Sequence, residues 1–104
     1  MATQSITVAR IYIREAEHLL AKIFDYLHNE EKVSGVTVFH GIIGFGPDGE
    51  VRTSRLLDLS LDLPLIVEFY DSPERVERVI NHLQTEMGLS HVVSWPANNH
   101  LPGH

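Results

Sequence analysis

No cysteine occurs anywhere in the chain. Disulfides, thiolate metal centres and thiol nucleophiles are therefore excluded. Basic residues are sparse, with 8 Lys and Arg against 14 Asp and Glu, and the formal net charge is −6 with the 7 histidines neutral. Without a Lys/Arg cluster, no nucleic-acid partner is expected. No apolar run approaches the ~20 residues that span a bilayer. The opening Met1-Ala-Thr-Gln-Ser5 has neither a basic n-region nor an apolar h-region, so a cytoplasmic protein is expected. What remains is ordinary globular material. At 104 residues, 43% of them hydrophobic, the chain suits one domain. A chain this short buries only about two-thirds of its surface, so an oligomer is expected to help.

The sequence is organised around Gly35 to Gly46, Gly-Val-Thr-Val-Phe-His-Gly-Ile-Ile-Gly-Phe-Gly. Val, Ile, Thr and Phe predict a long strand, and Gly41, Gly44 and Gly46 predict bends or close backbone approach at its end. Pro47-Asp48-Gly49 is a turn signal. Upstream, residues 5–13 predict a strand apolar on both faces, with Ile6, Val8, Arg10 and Tyr12 on one side. Residues 15–32 predict one amphipathic helix, with Glu15 and Glu17 in its first turn. Downstream, Pro47 to Arg55 is polar, and Leu56 to Leu63 fits either a strand or a compact loop. Leu65 to Tyr70 predicts another strand. Ser72-Pro73 predicts a helix start that ends near Gly88. His91 to Trp95 predicts a short last strand, so that residues 1–95 form the domain and 96–104 a tail.

Ala16, Leu19, Leu20, Ile23 and Leu27 recur at an offset of sixty as Val76, Val79, Ile80, Leu83 and Met87. Each set follows an apolar strand. The order matches an α+β, ferredoxin-like βαββαβ sandwich, an antiparallel sheet with two helices on one face. Two helices leave the second sheet face uncovered, although its strands are apolar there too. Another copy of the chain is the simplest cover.

Gly44, Phe45 and Gly46 are the leading ligand-binding candidates, because amides in a Gly-rich turn can cradle an anion; the plain alternative is a bulge and turn. Arg52 and Arg55, the only Lys or Arg residues between Lys32 and Arg75, suit phosphate or carboxylate, or else form a solvated loop pair. His40 shares strand parity with Val36, Val38 and Ile42 and is expected to face a trimer axis or a cleft, most simply as a satisfied interior histidine. His91, His100 and His104 offer imidazoles to a metal without forming a ligand motif. Asp58, Asp62 and Glu68 are scattered carboxylates with no catalytic arrangement, so no enzyme is expected.

The stretches Gly35-Val-Thr-Val, Gly44-Phe-Gly and Leu65-Ile-Val-Glu-Phe-Tyr-Asp-Ser-Pro-Glu-Arg-Val-Glu resemble PII signalling proteins. With Arg52-Thr-Ser and Leu59-Ser-Leu-Asp-Leu-Pro, the chain looks more closely like a PII-like family catalogued as a domain of unknown function. The resemblance covers about residues 5–95. It implies a homotrimer with its sheets facing inward and adenine nucleotides in clefts between subunits. It also implies a mobile T-loop, here Pro47 to Leu61, that engages a partner such as a membrane transporter or channel. Gly44, Phe45 and Gly46 carry over as the loop entry beside the ligand. The chain departs from the PII pattern at Thr85-Glu-Met-Gly-Leu-Ser90, where the phosphate loop has no Lys. AMP, ADP or bicarbonate is therefore expected in preference to ATP. The alternative is a trimeric metal binder that uses its histidines, like the copper-tolerance proteins of the same fold.

Overall fold

In a computed structural model, residues 2–53 and 63–102 are described. Strand β1 (Thr3–Arg14) leads to a 3-10 turn (Glu15–Glu17) and helix α1 (Leu20–Asp25), which widens into a π-helical turn (Tyr26–Glu30). Strand β2 (Gly35–His40) follows, then the short strands β3 (Ile43–Gly44) and β4 (Arg52–Thr53). Strand β5 (Pro64–Asp71), helix α2 (Pro73–Met87) and strand β6 (Val92–His100) complete the chain. The main sheet has the order β2-β5-β1-β6, and every neighbouring pair is antiparallel. This is the ferredoxin-like α+β arrangement.

Strand alternation sorts the side chains. Ala9, Ile11 and Ile13 of β1 and Leu65, Val67 and Phe69 of β5 are buried beneath the helices, against Ile23, Leu27, Val76, Val79 and Leu83. All five of those helix residues belong to the two sixty-residue-spaced sets, and Leu19, Leu20, Ile80 and Met87 pack around the same core. Ser72 caps α2 by accepting from the Arg75 amide at 3.4 Å, and Gly88 ends it in the left-handed region at φ 64°. Only glycine adopts that conformation without strain.

Three expectations change. The helix expected over 15–32 is broken at His18, whose φ of 54° is left-handed. The Glu15 amide donates out of the turn to the Leu63 carbonyl (3.1 Å), so the first residues serve the chain beyond them instead of the helix. The long strand expected to open the Gly35 to Gly46 stretch and feed a glycine-rich loop stops at His40, because the Gly41 amide turns to the Pro64 carbonyl (2.8 Å). The glycine stretch then forms a β3–β4 hairpin, pairing Gly44 with Arg52 around a Gly46–Gly49 turn. Finally, residues 96–100, read above as part of a tail, are strand. Pro96 to His100 pair with Thr7 to Thr3, because β1 begins early enough to supply partners. Arg55 and most of Leu56 to Leu63 lie outside the described residues, as does much of the Pro47 to Leu61 loop.

Polar contacts join the helices to the sheet at the far end from the hairpin. Asp71 is nearly buried; its carboxylate accepts from the Ser34 amide (3.0 Å) and hydroxyl (3.2 Å) and from the Ser72 amide (2.6 Å), with Arg75 at 3.5 Å. Burial pushes this carboxyl up, but the hydrogen bonds and the guanidinium outweigh it and hold its pKa below the ordinary value. Glu31 is held low chiefly by its hydrogen bond to Arg78 (2.8 Å), and it also accepts from the Tyr26 hydroxyl (3.1 Å). Burial, then that same bond, pushes the Tyr26 phenol up to about 12. Lowered carboxyl pKa values stabilise the fold above the unfolded value, near ~4, and that stabilisation is lost as pH falls through the folded value. Asp71→Asn is expected to cost about 1–2 kcal/mol at pH 7. It should also flatten the loss of stability below about pH 4, as measured by urea unfolding across pH.

Candidate functional site

The end of the sheet beside the hairpin encloses a cavity of about 800 Å³, within the range of small-molecule sites. Four pieces of chain meet there. Arg14 and Glu17 come from the end of β1 and the turn after it, and Gly41 and Ile43 to Asp48 from the glycine stretch. Pro64 to Ile66 begin β5, and Met87 to His91 follow α2. Tyr12 and Ile66 reach the cavity from the sheet face that the helices leave open, so the cavity borders that face.

Gly44, Phe45 and Gly46 all line it. Phe45 is 74% exposed. Gly44 is not held open by sterics: its φ is not left-handed, and a Cβ there would lie 3.5 Å from Pro64 Cγ, an ordinary contact. Gly41 is the constrained glycine, since a Cβ would lie 2.6 Å from Pro64 Cγ and 3.3 Å from the Pro64 carbonyl oxygen. The backbone of Arg52 is paired beside Gly44; Arg55 lies outside the described residues. His40 does not line the cavity. Its parity with Val36 and Val38 turns it to the helix side instead of the open face, and its Nε2 lies 3.0 Å from Glu15 Oε1. His91 lines the cavity while His100 is at the opposite end of β6, roughly 30 Å away at about 3.3 Å per residue. One chain therefore cannot bring these two to one metal, and His104 lies outside the described residues.

Among the described residues, the ionisable side chains on the cavity wall are Tyr12, Arg14, Glu17, Asp48 and His91. Glu17 Oε1 accepts from the Arg14 amide (3.0 Å) and sits 3.5 Å from its Nε. The end of α2, at Met87 and Gly88, brings the partly negative end of a helix to the same wall. Among the described residues, the surroundings are thus apolar around Ile13, Leu19, Pro64 and Leu89, with little positive charge. Sequence reasoning flagged the connection after α2 only for lacking Lys. It missed Tyr12, Arg14, Glu17 and Pro64. Each sits at the end of a strand or in the adjoining turn, and only the sheet order brings these ends together.

On the open face, Arg10 Nε binds Glu68 Oε1 at 2.9 Å, and the guanidinium carbon lies 5.7 Å from the ring centroids of both Phe39 and Trp95. Around this pair the face is apolar and aromatic. Tyr12, Phe39, Val93 and Trp95 are 39–46% exposed. Among the described residues, no helix is long and apolar enough to cross a membrane, and no group of three His, Asp or Glu side chains could hold a metal ion.

Residues 6–98 match DUF190, a family described as an uncharacterized ACR. A UPF0166 protein of Methanocaldococcus jannaschii is 35% identical over 80 residues, 73% of this chain and 73% of that protein. Among solved structures, CPII of Thiomonas intermedia K12, a nitrogen regulatory PII-like protein bound to ADP, AMP and bicarbonate, superposes with a TM-score of 0.72. It is 17% identical, and the match covers 93% of this chain and 90% of that one. The divalent ion tolerance protein CutA1 of Ehrlichia chaffeensis reaches a TM-score of 0.60 at 10% identity, covering 94% and 84%. At these identities the two structures establish a shared fold.

Proposed function

The chain belongs to the DUF190 family, and from that premise we propose that it is a PII-like regulatory protein that works by binding and not by turnover. A small effector occupies the cavity between the Gly41–Asp48 stretch and the Met87–His91 connection, and its state passes to a partner through the chain between Gly41 and Leu63. The observation that carries this reading is the meeting of those two segments around one cavity of about 800 Å³. The CPII structure with ADP, AMP and bicarbonate supports it by analogy of fold.

The wall chemistry narrows the ligand. Adenine suits the apolar side, and the amides of Gly44 to Gly46 suit an anion. Arg52 and Arg55 are the further candidates for its countercharge. With Glu17, Asp48 and a helix C-terminus already present, each added phosphate raises the cost of an unpaired charge. AMP, ADP or bicarbonate is therefore the expected effector, ahead of ATP. The open sheet face supports a homotrimer, its internal Arg10–Glu68 pair leaving the rest of the face free to bury aromatic surface. The cavity then lies between subunits, because Tyr12 and Ile66 connect it to that face. The partner is a membrane transporter or channel met from the cytoplasm, on the family resemblance alone.

A thermal-shift series with AMP, ADP, ATP, bicarbonate and divalent metals tests the ligand. Ligand at a hundred times its Kd stabilises by about 2.7 kcal/mol, so a rise of roughly 10 °C or more is expected for a domain of this size. A rise with metals only would favour the metal-binding reading. Tight binding of magnesium ATP, or steady release of product, would overturn the proposal.

A further inference from the structure

The 3-10 turn Glu15–Glu17 has two sides, and they face different things. On one side Glu17 lines the cavity and holds Arg14, through the amide at 3.0 Å and beside Nε at 3.5 Å. On the other side Glu15 grips both ends of the hairpin segment. Its carboxylate takes His40 Nε2 at 3.0 Å, the last residue of β2, and its amide donates to the Leu63 carbonyl at 3.1 Å, just before β5. One step further in, the Gly41 amide closes the same base onto the Pro64 carbonyl at 2.8 Å. Gly41 and Pro64 are themselves cavity wall.

The turn is also set off from α1 by a left-handed residue. Its last bond runs from the His18 amide to the Glu15 carbonyl (3.1 Å), and His18 then reverses into the left-handed region at φ 54° before the helix begins. A short turn bounded in this way can move without disturbing the buried face of α1.

We infer that this turn carries the occupancy of the cavity to the base of the hairpin segment, with Glu17 as the sensing side and Glu15 as the gripping side. The inference rests on the cavity being an effector site. Arg14 is the cation on the described wall, and Glu17 is its partner. An effector bearing a phosphate or carboxylate competes with Glu17 for that guanidinium. Losing the guanidinium leaves the Glu17 carboxylate held by the Arg14 amide alone, and the turn loosens. Glu15 lies two residues along, so its hold on His40 and Leu63 relaxes with it. Neither His40 nor Leu63 needs to touch the ligand. Glu15 and His40 are thus positioning residues, which accounts for a histidine outside the cavity at the foot of the glycine stretch. The relay is an equilibrium biased from both sides, as coupling between sites requires.

Amide hydrogen exchange on the full chain tests the relay, because the Glu15 and Gly41 amides report directly on the two base contacts. In Glu17→Gln, without ligand, both amides are expected to exchange about fivefold faster or more, a typical coupling factor, while core amides such as that of Val67 keep their wild-type rates. AMP added to the wild type should produce the same local change, and in Glu17→Gln it should add nothing further. Glu15→Gln should bind AMP normally by calorimetry yet lose the ligand-induced change at Gly41. Wild-type rates at both reporters in Glu17→Gln would overturn the relay, as would acceleration spread evenly over the core, which marks simple destabilisation. If AMP produces no heat of binding, the effector reading fails for AMP, while the ligand-free Glu17→Gln comparison still decides the relay.

Discussion

Val8→Asp is expected to turn the proposed trimer of 11.8 kDa chains into monomers. Val8 lies in a central strand on the open face, between Tyr70 of β5 and Trp95 of β6. A carboxylate there would be desolvated in any assembly that covers the face. Among the described residues the face offers it no free countercharge, since Arg10 already binds Glu68 at 2.9 Å. Burying an unpaired charge costs several kcal/mol per chain, and a symmetric assembly brings three such charges together. Analytical ultracentrifugation at micromolar concentration should show about three chains for the wild type and one for the variant. Val8→Thr, similar in shape and uncharged, should keep the assembly and so separates charge from packing. A wild-type monomer would remove the trimer and with it the inter-subunit character of the cavity. A variant that stays trimeric would mean that the chains associate through another surface.

Gly41→Ala is expected to be far more damaging than Gly44→Ala, although the two glycines look alike in the sequence. At Gly41 the new Cβ would meet Pro64 Cγ at 2.6 Å and the Pro64 carbonyl oxygen at 3.3 Å. Neither is the end of a flexible side chain, so the backbone must move, and the Gly41–Pro64 hydrogen bond lies in the path of that movement. The expected cost is about 2–3 kcal/mol, the usual range for overpacking. Gly44→Ala makes only an ordinary contact at 3.5 Å and should stay within about 0.5 kcal/mol. Urea unfolding measures the stability difference. Effector affinity, measured on the same samples, is expected to fall about tenfold in Gly41→Ala, because the displaced segment forms the cavity wall. Equal effects at the two positions would mean that the Gly41–Pro64 contact does not govern the base of the hairpin.

Much of the architecture was legible in the residues because it rests on short-range periodicity. The alternation of Ala9, Ile11 and Ile13 against Val8, Arg10 and Tyr12 announces a strand with two distinct faces. The matched apolar sets of the two helical segments announce helices on one side of a sheet, and Ser72-Pro73 and Gly88 mark the limits of α2 within a residue. The glycine stretch was also visible as the place where backbone approaches something closely. The absence of cysteine excluded disulfides and thiolate chemistry before any fold was considered.

Tertiary structure decided what those signals could not carry. Local pattern made residues 15–32 one helix. The tertiary bond from the Glu15 amide to Leu63 and the left-handed His18 break it, because a contact nearly fifty residues away leaves no trace in local periodicity. The polar run Asn98-Asn99-His100 reads as a tail by composition, yet strand pairing with Thr3 to Ser5 makes it sheet, since a backbone ladder asks little of side chains at an exposed end. Parity placed His40 correctly with Val36 and Val38, but only the sheet order showed that this side faces the helices and brings the imidazole to Glu15. The cavity is the clearest case. Arg14, Gly41, Pro64 and Ser90 are far apart in the chain and each is unremarkable alone. They become a site because an antiparallel sheet of order β2-β5-β1-β6 brings those strand ends and the connection after α2 to the same end of the molecule.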